Sequence, residues 1–176
     1  MTSHETTTAR TASVANKVSS RRLQLVSSID AEPAAVIRVA FASSDRVRVD
    51  QHFGAAEGFA IYDVTPDKAT LVGVAEFAEE SMDGNEGKLA AKVDFLDGCA
   101  AVYVLAIGAS AIKQLTARGI QPIRINEVDT LDDLLRDIST AIGEGGVAWI
   151  ERAIAAQARA GSGDRFATME KEGWEG

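Results

Sequence analysis

The chain has 176 residues, 46% of them hydrophobic, one cysteine and a formal net charge of −8. That length and composition fit one globular domain with a sizeable core. They exclude a membrane-spanning run of about 18 apolar residues, and the lone Cys99 excludes an intramolecular disulfide and a cysteine-rich metal site. Residues 1–32 carry +1 and the remainder −9, so nucleic acid is not an expected partner, because neutralising phosphates needs a basic surface.

Residues 1–32 are polar, aperiodic and rich in Thr, Ser and Ala, and are expected to form a flexible, solvated tail. They lack the apolar core of a signal peptide. Their Ser, Thr and Arg bias fits a transit peptide only weakly, with Glu5 against it. With one cysteine, the cytoplasm is the default expected compartment. A body is expected over residues 33–145, followed by a C-terminal helix and charged tail over 146–176.

The first strand is Val36–Ala42, where Ile37, Val39 and Phe41 alternate. A short extended piece, Val47–Val49, is expected to fold back beside it. The second strand, Gly58–Val64, and the third, Ala69–Phe77, flank the turn Thr65-Pro66-Asp67-Lys68, where Pro supplies a fixed φ. Glu79–Lys88 reads as a polar loop. A helix over Lys88–Asp97 sets Leu89, Val93 and Leu96 on one face, with Gly98 suited to a left-handed stop.

The fourth strand, Ala101–Ile107, is apolar without alternation and is expected to be buried on both faces. Gly108-Ala109-Ser110 leads into a helix over Ala111–Arg118, with Ser110 as its N-cap and Gly119 after it. The fifth strand is Pro122–Ile125. Thr130 caps a third helix carrying Leu131, Leu134, Leu135 and Ile138. An Ala-rich helix over Val147–Ala160 follows, then a loosely held charged end from Gly161. Trp149 is expected to pack that helix onto the body, and Trp174 to be a candidate docking anchor.

Three strands in an antiparallel meander followed by two right-handed crossovers give a five-stranded mixed sheet. Numbered in chain order, its predicted order is 3-2-1-4-5, with helices on both faces. This is the three-layer ribonuclease H-like α/β architecture, which does not itself specify a function. The carboxyl ends of the first, fourth and fifth strands share one edge, where open α/β sheets bind ligands.

His52 falls on that edge, in the segment Val49-Asp50-Gln51-His52-Phe53-Gly54-Ala55, and the chain's other histidine, His4, lies in the tail. Asp50 either orients this loop or caps a backbone N–H. Ser44, in the loop before His52, and Met82 and Asn85, in the Gly-rich loop, gather at the same edge. So do Gly108 and Ser110, whose helix start favours an anion. Arg46, Arg48 and Lys88 are nearby cations. Cys99 falls at the opposite edge, which argues against a His52–Cys99 ligand pair within one subunit. A two-metal nuclease needs a carboxylate on the first strand, and Val36–Ala42 has none.

Several segments together resemble the dinitrogenase iron–molybdenum cofactor biosynthesis family. They are Val39–Asp45, Val49–Val64, Met82–Glu86, Gly98–Tyr103, Gly108–Ala111 and Gly119–Pro122. The core of the match runs from Val36 to Ile142. The resemblance implies a carrier rather than an enzyme. It implies transient binding of iron–sulfur precursors of the nitrogenase cofactor (NifB-co) or of the finished iron–molybdenum cofactor (FeMo-co), with His52 as the metal ligand. The implied partners are the NifB-type cofactor synthase, the NifEN-type scaffold and the nitrogenase MoFe protein. A protein-binding adaptor or regulator without cargo is the alternative that the same fold would serve.

Overall fold

The computed structural model describes residues 34–78 and 85–172. Its elements in chain order are β1 (Ile37–Ala42), β2 (Arg48–Val49), β3 (Gly58–Val64), β4 (Ala69–Glu76), α1 (Asn85–Phe95), β5 (Ala101–Val104), α2 (Ala109–Ala117), β6 (Gln121–Arg124), β7 (Asp129–Thr130), α3 (Leu131–Glu144) and α4 (Ala148–Glu172). Five strands form one mixed sheet in the order β4-β3-β1-β5-β6. β1, β3 and β4 pair antiparallel, while β1–β5 and β5–β6 pair parallel.

The period-2 alternation of β1 builds two cores. Ile37, Val39 and Phe41 face one cluster with Leu131, Leu134, Leu135 and Ile138 of α3 and Ile150 of α4. Ala40 and Ala42 face the other, with Val93 of α1, Leu96 just after it, and Ala111 and Leu115 of α2. The helices therefore cover both faces of the sheet. All four residues of β5 are buried, as expected of a strand covered on both sides. Phe41 stacks on Tyr103 at 5.3 Å between ring centroids, and Trp149 meets Tyr103 edge-on at 6.5 Å. Trp149 thus fastens α4 to the sheet. Trp174 lies outside the described residues.

Local signals explain the element ends. Thr130 caps α3 by accepting the Asp133 N–H on its hydroxyl. Gly98 and Gly119 close α1 and α2 at φ 84° and 76°, the left-handed region that side chains disfavour. The Thr65–Lys68 turn closes with the Thr65 N–H on the Lys68 carbonyl, at 2.8 Å.

Four expectations need correction. Arg48–Val49 pairs with Asp129–Thr130 in a separate ribbon and not with β1, because β3 and β5 already occupy both sides of β1. Helix α1 starts at Asn85, so part of the expected Glu79–Lys88 loop is helical. Helix α2 starts at Ala109, and its N-cap is Gly108, not Ser110. The extended backbone of Gly108, φ −80° and ψ 157°, opens the helix without a side-chain cap. Finally, α4 continues past Gly161 to Glu172, since isolated glycines weaken a helix by only about 1 kcal/mol each.

Candidate site at the carboxyl edge of the sheet

The path from β1 to His52 is an excursion that rejoins its own line. After Ala42 the chain leaves the sheet, then returns with the Asp50 N–H donating to the Ala42 carbonyl at 3.3 Å. From there it resumes a parallel ladder against the end of β5. Leu105 N–H donates to the Gln51 carbonyl at 3.0 Å, and Phe53 N–H donates to the Ala106 carbonyl at 2.8 Å. His52 is bridged to Ala106. The side chain of Phe53 is fully buried in the α1/α2 core, 5.5 Å from Phe59 between centroids. Side chains of neighbouring residues along a strand point to opposite faces, so burying Phe53 turns His52 outward. It is exposed, and its imidazole makes no hydrogen bond among the described residues.

The excursion is held by its own polar side chains. Asp45 accepts the N–H groups of Val47 and Arg48 at 2.8 and 2.9 Å, and the Arg48 guanidinium at 3.1 Å. These two backbone N–H bonds, with smaller help from Arg48, hold its pKa down to about 2. Arg46 at the tip takes φ 61°, an uncommon conformation for a residue with a side chain. Asp50 accepts the Ser44 N–H at 2.9 Å and the Ser44 hydroxyl. Gln51 accepts the N–H groups of Glu57 and Gly58 through Oε1, at 2.9 and 3.3 Å.

Asp45 should therefore stay ionised far into acid. Its pKa is depressed on folding, so its contribution is complete above the unfolded value of about 3.9 and fades as pH falls toward about 2. An NMR titration of its carboxyl carbon should give a midpoint near 2, with the Val47 and Arg48 amides shifting in step. A midpoint near 4 would show that those amides do not bond it.

The residues named from sequence divide as follows. Gly108 and Ser110 stand at the start of α2, two and four residues beyond the ladder partner of His52. With roughly 4.8 Å between strands and about 3.8 Å per residue, the Gly108 Cα lies within about 12 Å of the His52 Cα. Both are exposed, and the first turn of α2 contains no acidic residue and no side-chain cap. Ser110 Oγ accepts a long bond, 3.5 Å, from Gln114. Ser44 belongs to the same loop as His52, but its hydroxyl is engaged by Asp50. Asn85 is the first residue of α1. Met82 lies outside the described residues.

Of the three cations, Arg48 is tied to Asp45, whereas Arg46 has no ion pair among the described residues. Cys99 is buried just before β5, while His52 sits beyond the other end of that strand. About 3.3 Å per residue separates them by roughly 20 Å. Burial also pushes the Cys99 thiol up to about 12, which suits a packing residue and not a thiolate ligand. Among the described residues no group of three His, Cys, Asp or Glu side chains could hold a metal ion. No helix there is long and apolar enough to cross a membrane.

Sequence reasoning gave no role to Asp45 and Gln51, which hold the loop, and missed Lys92. Lys92 falls between Leu89 and Val93 of α1, in line with Leu96 just past its end, and it is buried with its ammonium on the Gly54 carbonyl of the histidine loop. The signal was a lysine inside an apolar helical stripe.

These features define an α/β protein with a mixed five-stranded sheet that displays the His52 imidazole at the carboxyl edge. Residues 35–141 match the family model described as dinitrogenase iron-molybdenum cofactor, and the chain belongs to that family. It is similar to protein NifX of Azotobacter vinelandii, with 47% identity over 155 residues, spanning 88% of this chain and 96% of that protein. Protein NifX of Herbaspirillum seropedicae is 30% identical over 119 residues, spanning 67% of this chain and 82% of its own. The crystal structure of PH0822 aligns with 58% of this chain and 88% of its own at 22% identity, with a TM-score of 0.48.

Proposed function

We propose that this protein is a non-catalytic, cytoplasmic carrier in nitrogenase cofactor biosynthesis. It binds an iron–sulfur precursor of the iron–molybdenum cofactor (NifB-co), or FeMo-co itself, and gives it up to the next protein. The observation that carries this reading is the geometry of His52. Its backbone is fixed in a ladder, while its imidazole is exposed with no hydrogen-bond partner among the described residues. Neutral imidazole is a competent iron ligand. Resident metal sites orient a ligating histidine through a partner on its second nitrogen. An imidazole without one, and with no metal-holding group of His, Cys, Asp or Glu side chains among the described residues, suits cargo that must leave.

The start of α2 and Arg46, which has no ion pair among the described residues, supply positive potential for an anionic cluster. Family membership supports the choice of cargo. Ser44, Asn85, Met82, Gly108 and Ser110 are the surrounding candidate contacts. We read the sheet as ribonuclease H-like, residues 33–145 as the cargo-binding body and 146–176 as an appended helix and tail. The partners in this scheme are a NifB-type synthase as donor and a NifEN-type scaffold or the MoFe protein as acceptor.

The test is anaerobic mixing with isolated precursor cluster, followed by gel filtration. Iron should co-elute with the protein and transfer to the scaffold on mixing. Iron that never co-elutes, with the protein still binding the scaffold, would replace this reading with that of a cargo-free adaptor.

A further inference from the structure

Lys92 is the buried charge that the fold alone does not require. It is 5% exposed, and it has no carboxylate partner among the ion pairs of the described residues. Its Nζ donates instead to the carbonyl of Gly54 at 2.6 Å and, more weakly, to that of Phe53 at 3.5 Å. The same ammonium sits 5.7 Å from the centre of the Phe77 ring, a favourable place for a cation. Burial pushes the Lys92 pKa below its ordinary value, and Lys88, one turn earlier on α1, adds to the effect. Burying an ammonium without a counter-ion is unfavourable, and an apolar side chain of similar length would fill the space without that penalty.

What the charge provides is a fastening. The first half of the histidine loop is tied down by the Gln51 and Phe53 backbone bonds to Leu105 and Ala106, just past β5. The second half is not packed in the same way. Gly54 and Ala55 are exposed, and a Cβ built on Gly54 would meet nothing within 4 Å. Lys92 reaches this half from below and grips the two carbonyls that immediately follow His52.

We propose that Lys92 is the positioning residue of the cargo site, its ammonium clamping the Phe53 and Gly54 carbonyls so that α1 steadies the loop that carries the His52 imidazole. This inference rests on the reading of His52 as the cargo ligand. It makes α1 part of the carrier site and explains why a lysine interrupts that helix's apolar face.

The test compares Lys92→Met, His52→Ala and Val93→Ala in the full chain. Val93 is buried on the same helix, so its truncation loosens packing and leaves the lysine in place. Two readouts are needed: iron retained after anaerobic loading with isolated precursor cluster, and NMR order parameters of the Gly54 and Ala55 amides without cargo. Lys92→Met is expected to keep a melting temperature at or above that of the parent. Its iron retention should fall about tenfold, the usual scale for losing an orienting partner. Its loop order parameters should drop from about 0.85 to below about 0.6. Val93→Ala should lower the melting temperature while sparing both readouts.

Unchanged retention and order in Lys92→Met would overturn the proposal, as would an equal loss in Val93→Ala. If His52→Ala retained iron fully, the cargo reading would fail, and the order parameters alone would still decide whether Lys92 clamps the loop. Should Lys92→Met not fold, Lys92→Gln, a shorter neutral donor, is read by the same criteria.

Discussion

Phe53→Ala is expected to destabilise the protein by about 3–5 kcal/mol, the range for truncating a fully buried aromatic residue. The Phe53 ring has no exposed surface and lies in the core formed by α1, α2 and the sheet, beside Phe59. Part of the loss is the hydrophobic transfer and part is the cavity, because neighbouring side chains relax only partially. The change should also be functional. Phe53 follows His52 directly, and its buried ring is what turns the imidazole outward. Urea unfolding would measure the first effect and iron retention at low temperature the second. Phe53→Leu, which keeps most of the apolar volume, should lose only about 1–2 kcal/mol and keep most of the retention. An unfolding midpoint unchanged in Phe53→Ala would mean that the ring is not the anchor described.

His52→Ala should show the opposite pattern. The side chain is exposed and makes no hydrogen bond among the described residues, so stability should stay within about 0.5 kcal/mol of the parent. Cargo retention should fall by at least tenfold, on the order of 1.4 kcal/mol or more of binding free energy. The pair separates anchor from ligand: one change removes stability and retention together, the other retention alone. A loss of stability in His52→Ala would show that the imidazole is a packing residue.

Much of this arrangement was legible in the residues. Alternation in Ile37, Val39 and Phe41, the Pro66 turn and the apolar run of Ala101–Ile107 are local signals, and each corresponds to an observed strand or turn, although β5 ends at Val104, three residues before the run does. The position of His52 followed from topology, since its loop leaves the carboxyl end of a strand that pairs parallel with β5. The separation of Cys99 from His52 followed from the same argument.

What was not legible is non-local. The pairing of Arg48–Val49 with Asp129–Thr130 joins two-residue strands about 80 positions apart, too short for any periodicity to register. The early start of α2 depends on the extended backbone of Gly108 and not on a capping side chain. The roles of Asp45, Gln51 and Lys92 depend on which amides and carbonyls the fold brings to them. A lysine in an apolar stripe announces a buried charge; only the structure shows the carbonyls it grips.

The central claim is that His52 itself bonds the cluster. Protein labelled with [15N]histidine, loaded anaerobically with the precursor cluster and poised in a paramagnetic state, can be measured by pulsed electron paramagnetic resonance. The account predicts a hyperfine coupling from a directly bonded imidazole nitrogen that survives His4→Ala and disappears in His52→Ala. Cluster bound with no histidine coupling, or a coupling that persists in His52→Ala, would contradict it.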